Sequence, residues 1–194
     1  MNPIFSLYRF LSDFKSAFYR NWIKKQFLIF GEGAHIEKID SLSHPEKISV
    51  GQNVYIGHHS VLEAITKKCD KSFNPEITIG DNTRIGDYSH LGSIRFIHVG
   101  KNVLMGRYVL IIDHSHGDTA DLINSIPPFE RDLKTKGGIT IEDDVWIGDK
   151  VSILSGVTIG KGAIIGANSV VVKDVPAHNF AAGAPAKVIF GDNN

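Results

Sequence analysis

The chain has 194 residues, enough for one domain with a sizeable core. Its 21 basic and 21 acidic residues cancel, so no overall basicity points to nucleic acid, and its 42% hydrophobic content suits a soluble domain. A single cysteine, Cys69, excludes an intrachain disulfide and fits a reducing compartment, and no run of about 18 uncharged apolar residues offers a membrane-spanning helix.

At the N-terminus, Ile4, Leu7, Leu11, Phe14, Phe18 and Trp22 recur at steps of three and four. That is one stripe of a helix over residues 4–27, with Pro3 near a favourable first position. Arg9, Asp13, Lys15 and Arg20 break the apolar run, and no small-residue cleavage site follows, so no signal peptide is read and a cytoplasmic location is expected. The basic residues Arg9, Lys15, Arg20, Lys24 and Lys25 leave two roles open. The helix packs on the main domain or a neighbouring subunit, or it makes a peripheral contact with the inner face of a membrane.

Beyond residue 29 a period of six takes over. Val50, Ile56 and Leu62 form one run; Ile79, Ile85, Leu91 and Ile97 a second; Val99, Met105 and Ile111 a third, two residues out of phase. The slip between Ile97 and Val99 reads as a corner insertion. From Ile141 the rhythm is strict through Ile147, Ile153, Ile159, Ile165 and Val171, with Val145, Val151, Val157, Ala163, Ser169 and Val175 four residues after each. Six does not match the helix repeat of 3.6 but fits a short strand plus a tight corner. Positions i and i+4 share parity and face one side. Glycines 148, 160 and 166, directly after the aliphatic, suit a crowded corner. Three such units close one triangular coil, and coils stack through parallel ladders, each burying its neighbour's core. The fold class is therefore an all-β parallel β-helix with an N-terminal α-helix and a projecting loop. Its organisation is a helical segment 1–29, a coil domain 30–190 and a tail 191–194.

Two stretches lack the rhythm. Residues 63–75 read as a loop holding Cys69, which with no adjacent histidine reads as structural. Residues 117–138 form a long insertion, stiffened by Pro127 and Pro128 and carrying Leu122, Ile123, Ile126 and Phe129 to bury. The insertion is expected to project from the coil, pack on a neighbouring subunit and narrow a site. Just before it stand His114 and His116, three and five residues after Ile111, at outward parity, with Ser115 taking the inward place. His90 is also outward, five after Ile85, and Trp146 five after Ile141. Exposed histidines on a rigid rung beside a long loop suit an active site, and an exposed indole suits an apolar ligand.

The run VWIGDKVSILSGVTIGKGAIIGANSVVVKDVPAHNFAAGAPAKVI, together with IIDHSHGD, resembles the hexapeptide-repeat acetyltransferases. The likeness is to the galactoside, maltose and nodulation-factor O-acetyltransferases and to those acting on bacterial envelope polysaccharides. It covers about residues 50–190. It implies a left-handed coil, a hand that the hexapeptide period alone leaves open. It also implies acetyl-CoA as donor, a sugar or polysaccharide hydroxyl as acceptor, no metal, and a homotrimer with sites between subunits. By the same resemblance His114 is the general base. From their own positions, His90, Asp113 and His116 are acceptor-side candidates, Asp113 also as a group to orient an imidazole and His116 as the fallback base. Trp146, Asp149, Ala167, Val172, Lys173, Gly183 and Lys187 fall at coenzyme contacts. Asp149 and Val172 depart from the small hydroxyl residues of the family, so backbone or packing contacts are expected there. Lys173 and Lys187 would neutralise coenzyme phosphates. No Walker-type loop suggests nucleotide hydrolysis. Two other readings stay open at this stage: a γ-class carbonic anhydrase holding zinc on histidines between subunits, and a non-catalytic assembly module.

Overall fold

The computed structural model describes residues 19, 21–118 and 126–190. The hexapeptide units form two- to four-residue strands that wind around three parallel sheets. The first face runs through Ile29–Phe30, Ile48–Val50, Glu76–Ile79, Phe96–Val99, Ile139–Ile141 and Thr158–Ile159. On the second lie His35–Ile36, Tyr55–Ile56, Arg84–Ile85, Leu104–Met105, Trp146–Ile147 and Ile164–Ile165, closed by the hairpin of Phe180–Gly183 and Ala186–Phe190. The third comprises Ser41–Ser43, Val61–Ala64, His90–Ser93, Leu110–Ile112, Ser152–Leu154 and Val170–Val171.

Register puts like on like. Val50 pairs with Ile79, and Ile79 with Val99; Ile85 pairs with Met105, and Met105 with Ile147; Leu91 pairs with Ile111, and Ile111 with Ile153. These side chains are buried and make up the core of the prism. Burying one such aliphatic stabilises by about 1.5–3 kcal/mol, so the stack is the main favourable term. Inward serines are matched at the corners: Ser60, Ser89 and Ser169 donate to the carbonyls of Gly57, Gly86 and Gly166 at 2.9, 2.8 and 2.6 Å, which removes the cost of burying a hydroxyl.

The corners explain the glycine and acid pattern. Gly106 has no room for a side chain, because a Cβ there would collide with the Asp149 carboxylate. That carboxylate accepts the Arg107 N–H of the coil beneath at 2.8 Å, and Asp81, Asp87 and Asp143 do the same for Gln52, His58 and Lys101. At another corner Asn53, Asn82, Asn102 and Asp144 all take left-handed backbone angles and bond one to the next at 3.0–3.2 Å. Asparagine and aspartate bear that conformation at lower cost than most residues.

Three details differ from the sequence reading. The phase slip at Ile97 and Val99 is no insertion between them: both point inward within one strand, Phe96–Val99, and the corner is at Ile94–Arg95. The stretch after Glu63 is more ordered than a loop, because Val61–Ala64 continues the third face and Lys67–Lys68 pairs antiparallel with Lys71–Ser72. Trp22, the last member of the N-terminal stripe, is 52% exposed; Ile23 and Phe27 instead enter the core, and the Tyr19 hydroxyl accepts the Ile39 N–H at 3.4 Å. The rest of the stripe, Ile4 to Phe18, lies outside the described residues, as does the tail 191–194. No described helix is long and apolar enough to cross a membrane.

Candidate active site

The third face carries a polar cluster where its strands meet the corner at Ile94–Arg95. Asp113 follows Leu110–Ile112 and turns inward with no exposed surface. Its Oδ1 accepts the Ile94 N–H at 2.8 Å, and its Oδ2 accepts the Arg95 N–H at 2.8 Å and the Ser93 hydroxyl at 2.7 Å. The carboxylate thereby closes a corner one coil away and satisfies two backbone donors that no ladder reaches. His114 Nδ1 lies 3.2 Å from Asp113 Oδ1. A carboxylate can only accept, so Nδ1 carries the hydrogen and Nε2 keeps its lone pair. The His114 side chain is only 8% exposed, which holds the ring in place while leaving an edge open.

This corrects two expectations. Ser115 does not take the inward place; it is exposed, because the strand breaks after Ile112 and the chain leaves the coil. Asp113 takes that place two residues earlier, so it has no surface with which to touch an acceptor. Its Oδ1 contacts His114 instead. His116 is exposed and opens the projecting arm, where Ser115–His116 pairs antiparallel with Leu133–Lys134.

Parallel pairing brings His90 beside His114. His90–Ser93 pairs with Leu110–Ile112, setting Gly92 against Ile112, and with Val61–Ala64, setting Gly92 against Glu63. A Cβ on Gly92 would meet His90 Nε2 at 3.4 Å and His114 Cε1 at 3.5 Å. Glu63 was not anticipated, nor was Gly92. Its Oε2 lies 3.3 Å from His90 Nε2, and its Oε1 accepts the Ser41 hydroxyl at 3.1 Å. The one available signal was its position directly after the inward Leu62, which makes it outward.

Two excursions leave the coil at this same corner and touch. The Lys68 ammonium lies 3.8 Å from the centre of the Phe129 ring, Lys71 pairs with Asp132 at 2.6 Å, and Cys69 Sγ lies 3.9 Å from the Glu130 carbonyl. The described part of the insertion thus contacts the chain's own hairpin; Leu122 and Ile123 lie outside the described residues. Cys69 is exposed with the hairpin's left-handed turn at φ 51°, away from any described histidine contact. Among the described residues no group of three or more histidine, cysteine, aspartate or glutamate side chains is placed to hold a metal.

A separate groove of about 560 Å³ opens on the second face. It is lined by Leu104, Trp146, Asp149, Ala167 and Phe180 among others. Trp146 is 53% exposed on a rung between Leu104 and Ile164, as its parity required. Asp149 spends its carboxylate on the corner, which leaves its backbone and flank for the groove. Gly183, at φ 102°, makes the turn of the C-terminal hairpin above, and Lys187 pairs there with Ala182. Val172 and Lys173 are not in this groove. They are exposed just after Val170–Val171 on the third face, in the column of Ile112 and Leu154. One chain therefore gathers Trp146, Asp149 and Ala167 on one face and His114, Val172 and Lys173 on another.

The sequence profile described as "Bacterial transferase hexapeptide (six repeats)" matches residues 138–173. A Bacillus cereus N-acyltransferase, AntD, solved with dTDP-4-amino-4,6-dideoxyglucose and coenzyme A, superposes with a TM-score of 0.72 at 24% identity, covering 90% of this chain and 89% of that one. Residues 138–173 thus carry the repeat of that profile, and the likeness to the solved structure is one of fold. The coil is a left-handed β-helix. Among curated relatives, the protein named "Putative lipopolysaccharide biosynthesis O-acetyl transferase WbbJ" from Escherichia coli strain K12 is 39% identical over 58% of this chain and 59% of its own length. Galactoside O-acetyltransferase from the same strain is 33% identical over 86% of this chain and 65% of its own. The chain spans between half and two thirds of the length of the first curated relatives it matches.

Proposed function

We propose that this hexapeptide-repeat protein transfers an acetyl group from acetyl-CoA to a hydroxyl of a sugar, in a bacterial surface polysaccharide or its precursor. The observation that carries the reading is His114, nearly buried and held at Nδ1 by a fully buried aspartate, which leaves Nε2 to act as the base. The names of the WbbJ and galactoside relatives support the class of acceptor.

The reaction follows from that geometry. The acceptor oxygen attacks the thioester carbonyl as His114 Nε2 takes its proton. The C–S bond then breaks, and the imidazolium returns the proton to the departing thiolate. No acyl-enzyme forms. Asp113 stabilises the imidazolium and holds the tautomer. Trp146, Asp149 and Ala167 form the wall for the pantetheine arm, with Gly183 shaping the hairpin above. Val172 packs on the donor from the other side, and Lys173 and Lys187 meet coenzyme phosphates as point charges. His116, at the base of the arm, faces the acceptor.

The two halves of this donor site sit on different faces of one prism. We infer that a second copy completes it, in a homotrimer with one site at each interface. A cytoplasmic setting, with peripheral membrane contact through the N-terminal segment 4–27, is tested by flotation with anionic vesicles: failure to bind them sinks the membrane contact. His114→Ala should lower kcat by about 10²–10⁴-fold with acetyl-CoA affinity retained. The check is a coenzyme A release assay with a panel of methyl glycosides, alongside calorimetric titration of acetyl-CoA. Full turnover in the variant would sink the mechanism.

A further inference from the structure

Two histidine–carboxylate pairs face each other across Gly92. One is His114 with Asp113, and the other is His90 with Glu63. Gly92 has no side chain between them, and the point where its Cβ would stand is within 3.5 Å of both rings. The two pairs are built differently. Asp113 is fully buried and saturated by donors, whereas the Glu63 and His90 side chains are 30% and 34% exposed and open toward solvent. They also engage opposite ring nitrogens: Nδ1 of His114 but Nε2 of His90. His90 Nε2 is also the ring atom nearest the vacant Cβ position of Gly92, so a hydroxyl there meets the His90 N–H and the Glu63 carboxylate together. Both oxygens of Glu63 are used, one on His90 and one on Ser41, which fixes the second ring against rotation.

We propose that His90, positioned by Glu63, is the specificity-determining residue for the acceptor: it binds the hydroxyl adjacent to the one that His114 deprotonates. Resting on the acetyltransferase reading above, this narrows the acceptor class to sugars carrying two neighbouring free hydroxyls. The spacing supports it. Neighbouring hydroxyl oxygens on a sugar ring lie about 3 Å apart, a hydrogen-bond length. A pair of them fits between two imidazoles that converge on a single vacant Cβ position. His90 performs no proton transfer in this scheme. Its Nε2–H donates to the neighbouring hydroxyl oxygen, whose O–H turns to Glu63, and the pair so places the reacting oxygen on His114. Gly92 keeps the space open, and any side chain there displaces the diol.

The experiment couples a substitution in the protein to a deletion in the acceptor. The probes are the methyl glycosides of glucose, galactose, mannose and rhamnose, each with its monodeoxy analogues, assayed with acetyl-CoA. In the unaltered protein, loss of the hydroxyl next to the acetylated position should lower kcat/KM by about 10–100-fold, the size of a hydrogen bond to a polar or charged group. In His90→Ala that discrimination should vanish, with parent and deoxy glycosides turned over equally slowly. Glu63→Gln, which keeps an oxygen toward Ser41, should retain part of it, and His90→Gln should restore part of it. Gly92→Ala should raise KM for the glycoside more than it lowers kcat. Undiminished discrimination in both His90→Ala and Glu63→Gln overturns the proposal, as does equal turnover of the parent and every deoxy analogue in the unaltered protein. Failure of the acetyltransferase reading looks different: no glycoside is acetylated and acetyl-CoA is not bound. Either of those results overturns both.

Discussion

Asp113 is the side chain on which the site turns. It satisfies the corner at Ser93, Ile94 and Arg95 and fixes the His114 ring with the same two oxygens. Replacing it separates the two tasks. Asp113→Ala strands two buried N–H groups and a hydroxyl, so the chain should lose roughly 2–5 kcal/mol, read as a lower urea midpoint at unchanged slope. Asp113→Asn keeps the shape but presents an amide that can donate, which favours the wrong His114 tautomer. We expect kcat to fall by about 10²-fold or more with a smaller loss of stability. An Asp113→Asn protein with full turnover would contradict the orienting role. Glu63 makes the complementary point. It lies on a strand of the third face, not in a loop, and its use was hidden because its partner His90 is 27 residues away.

At the level of the element, the corner carboxylates tie successive coils together. Asp81 is the clearest case: the Gln52 N–H and the Lys101 ammonium hold its carboxyl below the ordinary carboxylate range. A group depressed in the folded state adds stability above its unfolded pKa of about 4 and loses it as pH falls through the lower folded value. Stability should therefore decline from about pH 4 downward, and Asp81→Asn should flatten that acid limb while lowering stability at neutral pH. Melting temperatures of the two proteins from pH 7 to pH 2.5 would show it; parallel curves would refute it. Salt should weaken the Lys101 contribution, because that pair is exposed. The hexapeptide period was readable because each unit is one short strand and one corner. The hairpin at Lys67–Ser72 and the arm that starts at Ser115 were not, because nothing in the local pattern says that they meet through Lys68, Phe129, Lys71 and Asp132.

On the scale of the whole molecule, Trp146 and His114 lie on different faces of the prism, which gives the proposed sharing of the site between copies a direct test. His114→Ala and Trp146→Ala chains are each expected to be impaired. Co-expressed in equal amounts, they should recover roughly a quarter of the unaltered activity, because one interface in four then pairs an intact His114 face with an intact Trp146 face. No recovery in mixed oligomers, with each variant folded, would place the whole site in one chain. Sedimentation should show three copies.

From the sequence alone came the coil, its core and the outward parity of Trp146 and His90, since those depend on alternation within a strand. The resemblance carried by the C-terminal run then pointed to His114. Only the tertiary structure decided which outward residues meet. Coils here differ in length, with excursions after Ala64 and His116, so the step from one residue to its neighbour in the next coil is no fixed number. Asp113 reaches back 18 to 20 residues to its corner, while His90 reaches back 27 to Glu63. Period fixes facing, but register across sheets is set by how each corner closes, and that is settled by packing and hydrogen bonds between coils rather than within them.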